Sequence, residues 1–147
     1  MRKLIILILL SMVTACSIPK DPENSFEEAR KDGLLVGAVP NPPYVEISND
    51  QFTGTEIEKL REFAKRENLQ LKIEKGTESE LVEKLEKYEL HVVAGGIGKK
   101  TIWTKKAGLT APYDTKHVFL IPKGENRLLK HLEDFIFRKK TGNENNS

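Results

Sequence analysis

Cysteine is nearly absent from this 147-residue chain, Cys16 being the only one. A single thiol excludes an intramolecular disulfide framework and a cysteine-based zinc site. The three histidines, His91, His117 and His131, are scattered without metal-ligand spacing. An excess of one charge is also lacking: 24 Lys and Arg face 22 Asp and Glu, and Arg2 with Lys3 account for the whole difference. Beyond residue 15 the chain is neutral, which removes the electrostatic footprint of a nucleic-acid binder. No serine stands in a G-x-S-x-G context, no phosphate loop occurs, and the carboxylates follow helix faces, so no enzyme is expected and no cofactor is implied. Long apolar runs are limited to one, Leu4–Leu10 continued through Met12-Val13. At about ten apolar residues it is too short for a bilayer span, which needs ~20.

What that run does offer is a leader. Met1-Arg2-Lys3 is a short cationic start, and the apolar stretch ends in Val13-Thr14-Ala15-Cys16. This is the pattern of a signal peptide over residues 1–15. Its last four residues resemble the bacterial lipobox, in which the cysteine receives diacylglycerol and becomes the new N-terminus. The resemblance implies lipidation of Cys16 and a domain held at the cell envelope, facing the periplasm or the exterior. Acyl chains stabilise membrane attachment by ~0.8 kcal/mol per buried CH₂, so several chains make a lasting anchor.

Residues 16–24, with two prolines and mixed charge, read as the tether. The folded part is expected over 25–137, followed by a disordered polar tail at 138–147. Ser25-Phe26-Glu27-Glu28, Thr55-Glu56-Ile57-Glu58 and Thr77-Glu78-Ser79-Glu80 each have the form of a capping box and mark three helix starts. Strands are expected at Leu34–Val39, around Leu69, Leu71 and Ile73, at Leu90–Ala94, around Ala107–Thr110 and at His117–Ile121. A last helix carries Leu128, Leu129, Leu132, Phe135 and Ile136. Strands alternating with helices give an α/β domain with a mainly parallel sheet flanked by helices. Ligands of such sheets sit beyond the carboxyl ends of the strands, here the loops Pro40–Tyr44, Gly95–Trp103 and Tyr113–Thr115.

Five segments then stand in register over about 80 residues: Leu34-Leu35-Val36-Gly37, Pro42-Pro43-Tyr44, Gly54-Thr55-Glu56-Ile57-Glu58, Gly95-Gly96 and Ala111-Pro112-Tyr113. Together they resemble the type II periplasmic solute-binding proteins, specifically the family 3 group that binds amino acids. The resemblance implies one lobe of that fold, since a two-lobed member would need about twice the length. The segment that looks like the strand leaving for the second lobe, His117–Gly124, and the start of the helix normally reached after the return, Glu125–Leu129, look fused near Gly124.

The resemblance also implies ligand-side residues: Tyr44, Glu56, Gly95, Gly96, Lys100 and Trp103. In the family, the loop after the third strand holds an amino acid's carboxylate through backbone N–H groups, a hydroxyl and an Arg, whose fork matches two oxygens. Here Gly98 stands at the hydroxyl position, Trp103 at the Arg position and Asn41 where an aromatic is usual. Lys99 and Lys100 retain positive charge without the fork, although the run Lys99–Lys106 reads more readily as a solvated loop. Trp103 either covers the end of the sheet or offers a platform to a ligand. Glu56 either orients a loop by hydrogen bonding or is a helix-start carboxylate favoured by the dipole. The function so implied is a membrane-anchored solute-binding lipoprotein for amino acids or related small polar solutes, linked to ABC-type uptake or sensing. Its partners are a solute, the membrane through its lipid, and a transporter permease or other envelope protein. The alternative is a degenerate lobe that serves as an envelope protein-interaction module or homodimer.

Overall fold

The structure, a computed structural model, describes residues 21–144. The leader, the lipid site at Cys16 and the last three residues lie outside the described residues.

In chain order the elements are α1 (Ser25–Asp32), β1 (Leu34–Ala38), β2 (Glu46–Ser48), β3 (Gln51–Thr53), α2 (Thr55–Glu67), β4 (Leu71–Lys75), α3 (Glu78–Glu86), β5 (Val92–Gly98), β6 (Gly108–Leu109), β7 (His117–Ile121) and α4 (Asn126–Glu144). A short 3-10 turn, Ile102–Lys105, precedes β6. The main sheet has the order β4-β1-β5-β7-β6. β1 pairs in parallel with β4 and β5, and β7 runs antiparallel to β5 and β6. The sheet is therefore mostly parallel, as the alternation of elements led one to expect.

Both faces are covered, which is why β1 and β7 read as continuous apolar runs. On one face Leu34, Val36, Ala38, Val92, Ala94, Phe119 and Ile121 pack against α1, α2 and α4. On the other, Val93, Ile97, Val118 and Leu120 pack against Leu81, Val82 and Leu85 of α3. The stripe Leu128, Leu132, Phe135 and Ile136 is the buried side of α4, as its 3.6-residue spacing requires.

The three capping boxes fare differently. Thr77 accepts from Glu80 N–H while Glu80 reaches back to Thr77 N–H, so α3 starts as expected. Ser25 does not cap α1: its N–H donates to Glu125 Oε2 at 2.8 Å, and Glu23 N–H donates to Glu125 Oε1 at 2.8 Å. A carboxylate 100 residues away, only 1% exposed, replaces the local cap. Thr55 does not cap α2 either, because the carbonyls of Pro43 and Tyr44 accept from Thr55 and Glu56 N–H at 3.0 Å each.

Three further differences concern boundaries. Between β1 and α2, where no strand was expected, Glu46–Thr53 forms a hairpin, β2 with β3, turning at Asn49 and Asp50, both with positive φ. The sixth strand shrinks to Gly108–Leu109. The helix expected to give way to a tail at Arg138 continues to Glu144. Tertiary partners hold it there: Lys140 donates to the Pro112 carbonyl at 2.8 Å, and Lys139 pairs with Glu62.

Topology also relocates the point at which a second lobe could join. Because β7 is antiparallel, Gly124 lies at the amino-terminal edge of the parallel strands, where its carbonyl accepts from Asp21 N–H at 3.2 Å. The connection that faces the opposite, ligand-side edge is the Tyr113–His117 turn. A lobe inserted at Gly124 would emerge on the far side of the domain.

Candidate functional site

The carboxyl edge of the sheet gathers the loops after β1, β4 and β5. Its organising residue is Glu56, at the second position of α2 and fully buried. Glu56 Oε2 accepts from Gly95 N–H at 2.7 Å and Gly96 N–H at 3.1 Å, and Oε1 accepts from the Tyr113 hydroxyl. Burial pushes the Glu56 carboxyl above the usual range, against hydrogen bonds from Tyr113, Gly96 and Gly95 and the field of His117 that pull it down. The Tyr113 phenol is raised by burial and by its bond to Glu56.

These bonds explain the irregularity of β5. Its ladder with β7 shifts between Val93 and Ile97, and Gly96 adopts φ 65°. The bulge turns the Gly95 and Gly96 N–H groups out of the ladder and onto Glu56. Only glycine suits position 96, since a Cβ there would lie 2.4 Å from Tyr44 Cδ2. Gly54, at φ 114°, is fixed in the same way, a Cβ falling 2.4 Å from the Tyr44 carbonyl oxygen.

Asn41 is a second brace. Its Nδ2 donates to the Gly95 carbonyl at 2.8 Å, and its own carbonyl accepts from Tyr44 and Val45 N–H. Tyr44 lies against Gly96 on one side and against the His117 ring on another, with centroids 4.6 Å apart. His117 in turn contacts Asp114, Nδ1 to Oδ2 at 2.6 Å. Desolvation opposes ionisation of Asp114, but hydrogen bonds from His117 and from Lys116 N–H outweigh it and hold its pKa at about 2.

Beside this node lies an open hollow of about 570 Å³, lined by Val39, Pro40, Lys75, Gly76, Thr77, Glu78 and Glu80. Trp103 stands next to it. Its indole N–H donates to Glu78 Oε1, and its ring packs half-buried on the α3 side of the core. Lys99 and Lys100 are exposed on the same edge, and Ile102 is 81% exposed. A Cβ on Gly98 would meet nothing within 4 Å.

The structure thus brings Tyr44, Glu56, Gly95, Gly96, Lys100 and Trp103 to one edge of the sheet in two different settings. Glu56, Gly95 and Gly96 bond one another, so the two N–H groups already have an acceptor. Tyr44, Lys100 and Trp103 keep surface toward solvent. Asn41 and Tyr113 lay in the expected ligand-side loops without a bonding role, and His117 and Glu78, at the same edge, were not expected there. Among the described residues no group of His, Cys, Asp and Glu could hold a metal ion, and no helix is long and apolar enough to cross a membrane.

Residues 34–144 match the pattern of the bacterial extracellular solute-binding proteins, family 3. A membrane-bound lytic murein transglycosylase F of Vibrio campbellii is 25% identical over 155 residues, covering 99% of this chain and 29% of that protein. The protein of that name from Vibrio cholerae is 31% identical over 94 residues, 63% of this chain and 18% of the relative. The chain thus spans less than a third of the length of these curated relatives. Among solved structures, a mutant of the arginine-bound form of domain 1 from TmArgBP of T. maritima superposes with TM-score 0.73 at 22% identity, covering 78% of this chain and 98% of that one. An ancestral cationic amino acid solute binding protein gives TM-score 0.75 at 14% identity, covering 80% and 94%. At these identities the structural likeness shows the fold.

Proposed function

The chain belongs to the bacterial extracellular solute-binding proteins, family 3, and from that premise we propose an extracytoplasmic, lipid-anchored domain whose half-cleft binds an amino acid or related small polar solute, in the service of uptake or sensing. The observation that carries the reading is the hollow at the carboxyl edge of β1 and β4, set beside a loop that Glu56 and Asn41 hold rigid. Preorganised walls reduce the entropy lost when a ligand is ordered. Val39, Pro40 and Trp103 supply apolar surface. Glu78 and Glu80 place carboxylates at the rim, which suits a cationic side chain, in keeping with the arginine and cationic amino acids named for the structural neighbours. Lys99 and Lys100 supply charge for a carboxylate as point cations instead of a planar fork.

The curated relatives support a second reading, in which the ligand is a fragment of murein, because the alignment with one of them runs over nearly the whole chain. Isothermal titration of residues 17–147 against amino acids, amines, short peptides and soluble murein fragments tests both. Saturable heat with arginine or lysine supports the first reading and heat with murein fragments alone the second. Silence across the panel from a folded sample overturns the solute-binding reading. Light scattering in the same samples tests the face-to-face homodimer, which a monomer at every concentration excludes.

A further inference from the structure

The N-terminal segment is fastened at one pole of the domain. Asp21 N–H donates to the Gly124 carbonyl, Arg127 N–H donates to Asp21 Oδ1 at 2.5 Å, and Glu23 and Ser25 N–H both donate to the buried Glu125 carboxylate. Gly124 and Glu125 follow the end of β7, at the amino edge of the parallel strands. The half-cleft with Tyr44, Glu78 and Lys100 occupies the carboxyl edge. The two lie at opposite ends of the sheet.

We infer that the anchored domain cannot lay its half-cleft on the lipid surface, so that what enters the cleft arrives from the aqueous side. The inference rests on the proposed anchoring through Cys16. Only residues 17–20 then separate Cys16 from the clasp residue Asp21, five residue steps in all. Five residues extend at most about 18 Å. A folded unit of this size has a radius of gyration of about 14 Å, hence is roughly 35 Å across and roughly 55 Å around from pole to pole. A tether of that length lets the domain tilt but cannot carry the clasp around to the far side, as laying the cleft flat on the bilayer would require. The surface hollow at the clasp pole is lined by Glu23, Glu28, Asp32 and Glu89 with Lys87; anionic headgroups would push that pole off the bilayer, and it is the short tether that holds it near. Within that reach the cleft can face sideways but cannot be pressed onto the bilayer, and capture or sensing of a water-borne solute is favoured.

Trp103, the chain's only tryptophan, reports the geometry because its indole bonds Glu78 in the first turn of α3, near the cleft edge. The protein from Cys16 onward is coupled through that thiol to a maleimide lipid in vesicles whose headgroups carry an energy-transfer acceptor for tryptophan. A second sample, Cys16→Ser with Thr115→Cys, is coupled through the exposed Tyr113–His117 turn on the cleft side. Transfer from Trp103 at least twofold lower in the Cys16-tethered protein is the expected result. Equal transfer in the two, or higher transfer from the Cys16-tethered protein, overturns the inference. Coupling is chemical, so this outcome is independent of whether cells lipidate Cys16, which the mass of the protein recovered from membranes decides separately.

Discussion

Replacing Glu56 separates the two readings that its sequence position left open. In Glu56→Ala the Gly95 and Gly96 N–H groups lose their acceptor, the first in a buried and the second in a part-buried setting. A buried, unsatisfied N–H costs about 1–3 kcal/mol, so the pair costs up to about 6 kcal/mol, with Gly96 contributing the smaller share. That is a large part of the ~5–15 kcal/mol by which a domain is stable. In Glu56→Gln the amide oxygen can accept both N–H groups, and only the Tyr113 hydroxyl must reverse its role, for a loss of about 1 kcal/mol. Urea denaturation reads the difference: with m near 1–3 kcal/mol/M, the alanine variant should lose on the order of 1–3 M in midpoint. The pH dependence adds a second signature. Burial raises the Glu56 pKa above its unfolded value, so its contribution to stability is fully present below about pH 4.5 and is lost as pH rises through the folded value. Wild type should therefore gain on Glu56→Gln as pH falls toward 4.5. An alanine variant within 0.5 kcal/mol of wild type would refute the view that Glu56 builds this edge, and would leave it a helix-start carboxylate.

Other substitutions test other parts. Gly96→Ala should cost more than about 2 kcal/mol, from its positive φ and the clash with Tyr44, while Gly98→Ser should change stability by less than about 0.5 kcal/mol; chemical denaturation compares them. His91 Nδ1 accepts from Leu35 N–H, and burial lowers the imidazole pKa, so the neutral ring stabilises the fold above about pH 6.5 and that contribution is lost as pH falls through the depressed folded value. The decline in melting temperature on acidification should be shallower in His91→Gln. Glu125→Ala frees the Glu23 and Ser25 N–H groups, and hydrogen exchange should then show α1 losing protection before the sheet does.

How much of this was legible in sequence depends on where each hydrogen-bond partner lies. The Thr77 cap and the stripe of α4 depend on residues three to eight apart, and they were readable. The Ser25 and Thr55 boxes have the same local form but lose to acceptors supplied by distant chain, Glu125 in one case and Pro43 and Tyr44 in the other. The hairpin at Glu46–Thr53 was missed because its strands have three residues each, too few for alternation to register, although Asn49-Asp50 carried the turn signal. Arg138–Glu144 looked like a tail because its helix is held by Pro112 and Glu62 and not by an apolar stripe of its own. At the site, the segments Pro42–Tyr44, Glu56 and Gly95-Gly96 were recognisable as a set. That the glutamate consumes the glycine N–H groups was not, since the contact spans 39 residues and needs a bulge that no local pattern announces.

The central claim is that the carboxyl edge of the sheet is a binding surface for a small polar solute. Amide chemical-shift mapping of residues 17–147 during titration with arginine, lysine and soluble murein fragments tests it residue by residue. The account expects saturable shifts concentrated at 39–44, 75–80 and 96–103, with the clasp pole around Glu23, Asp32 and Glu89 unmoved. Shifts confined to that pole, or a folded protein unmoved by every ligand, would contradict it.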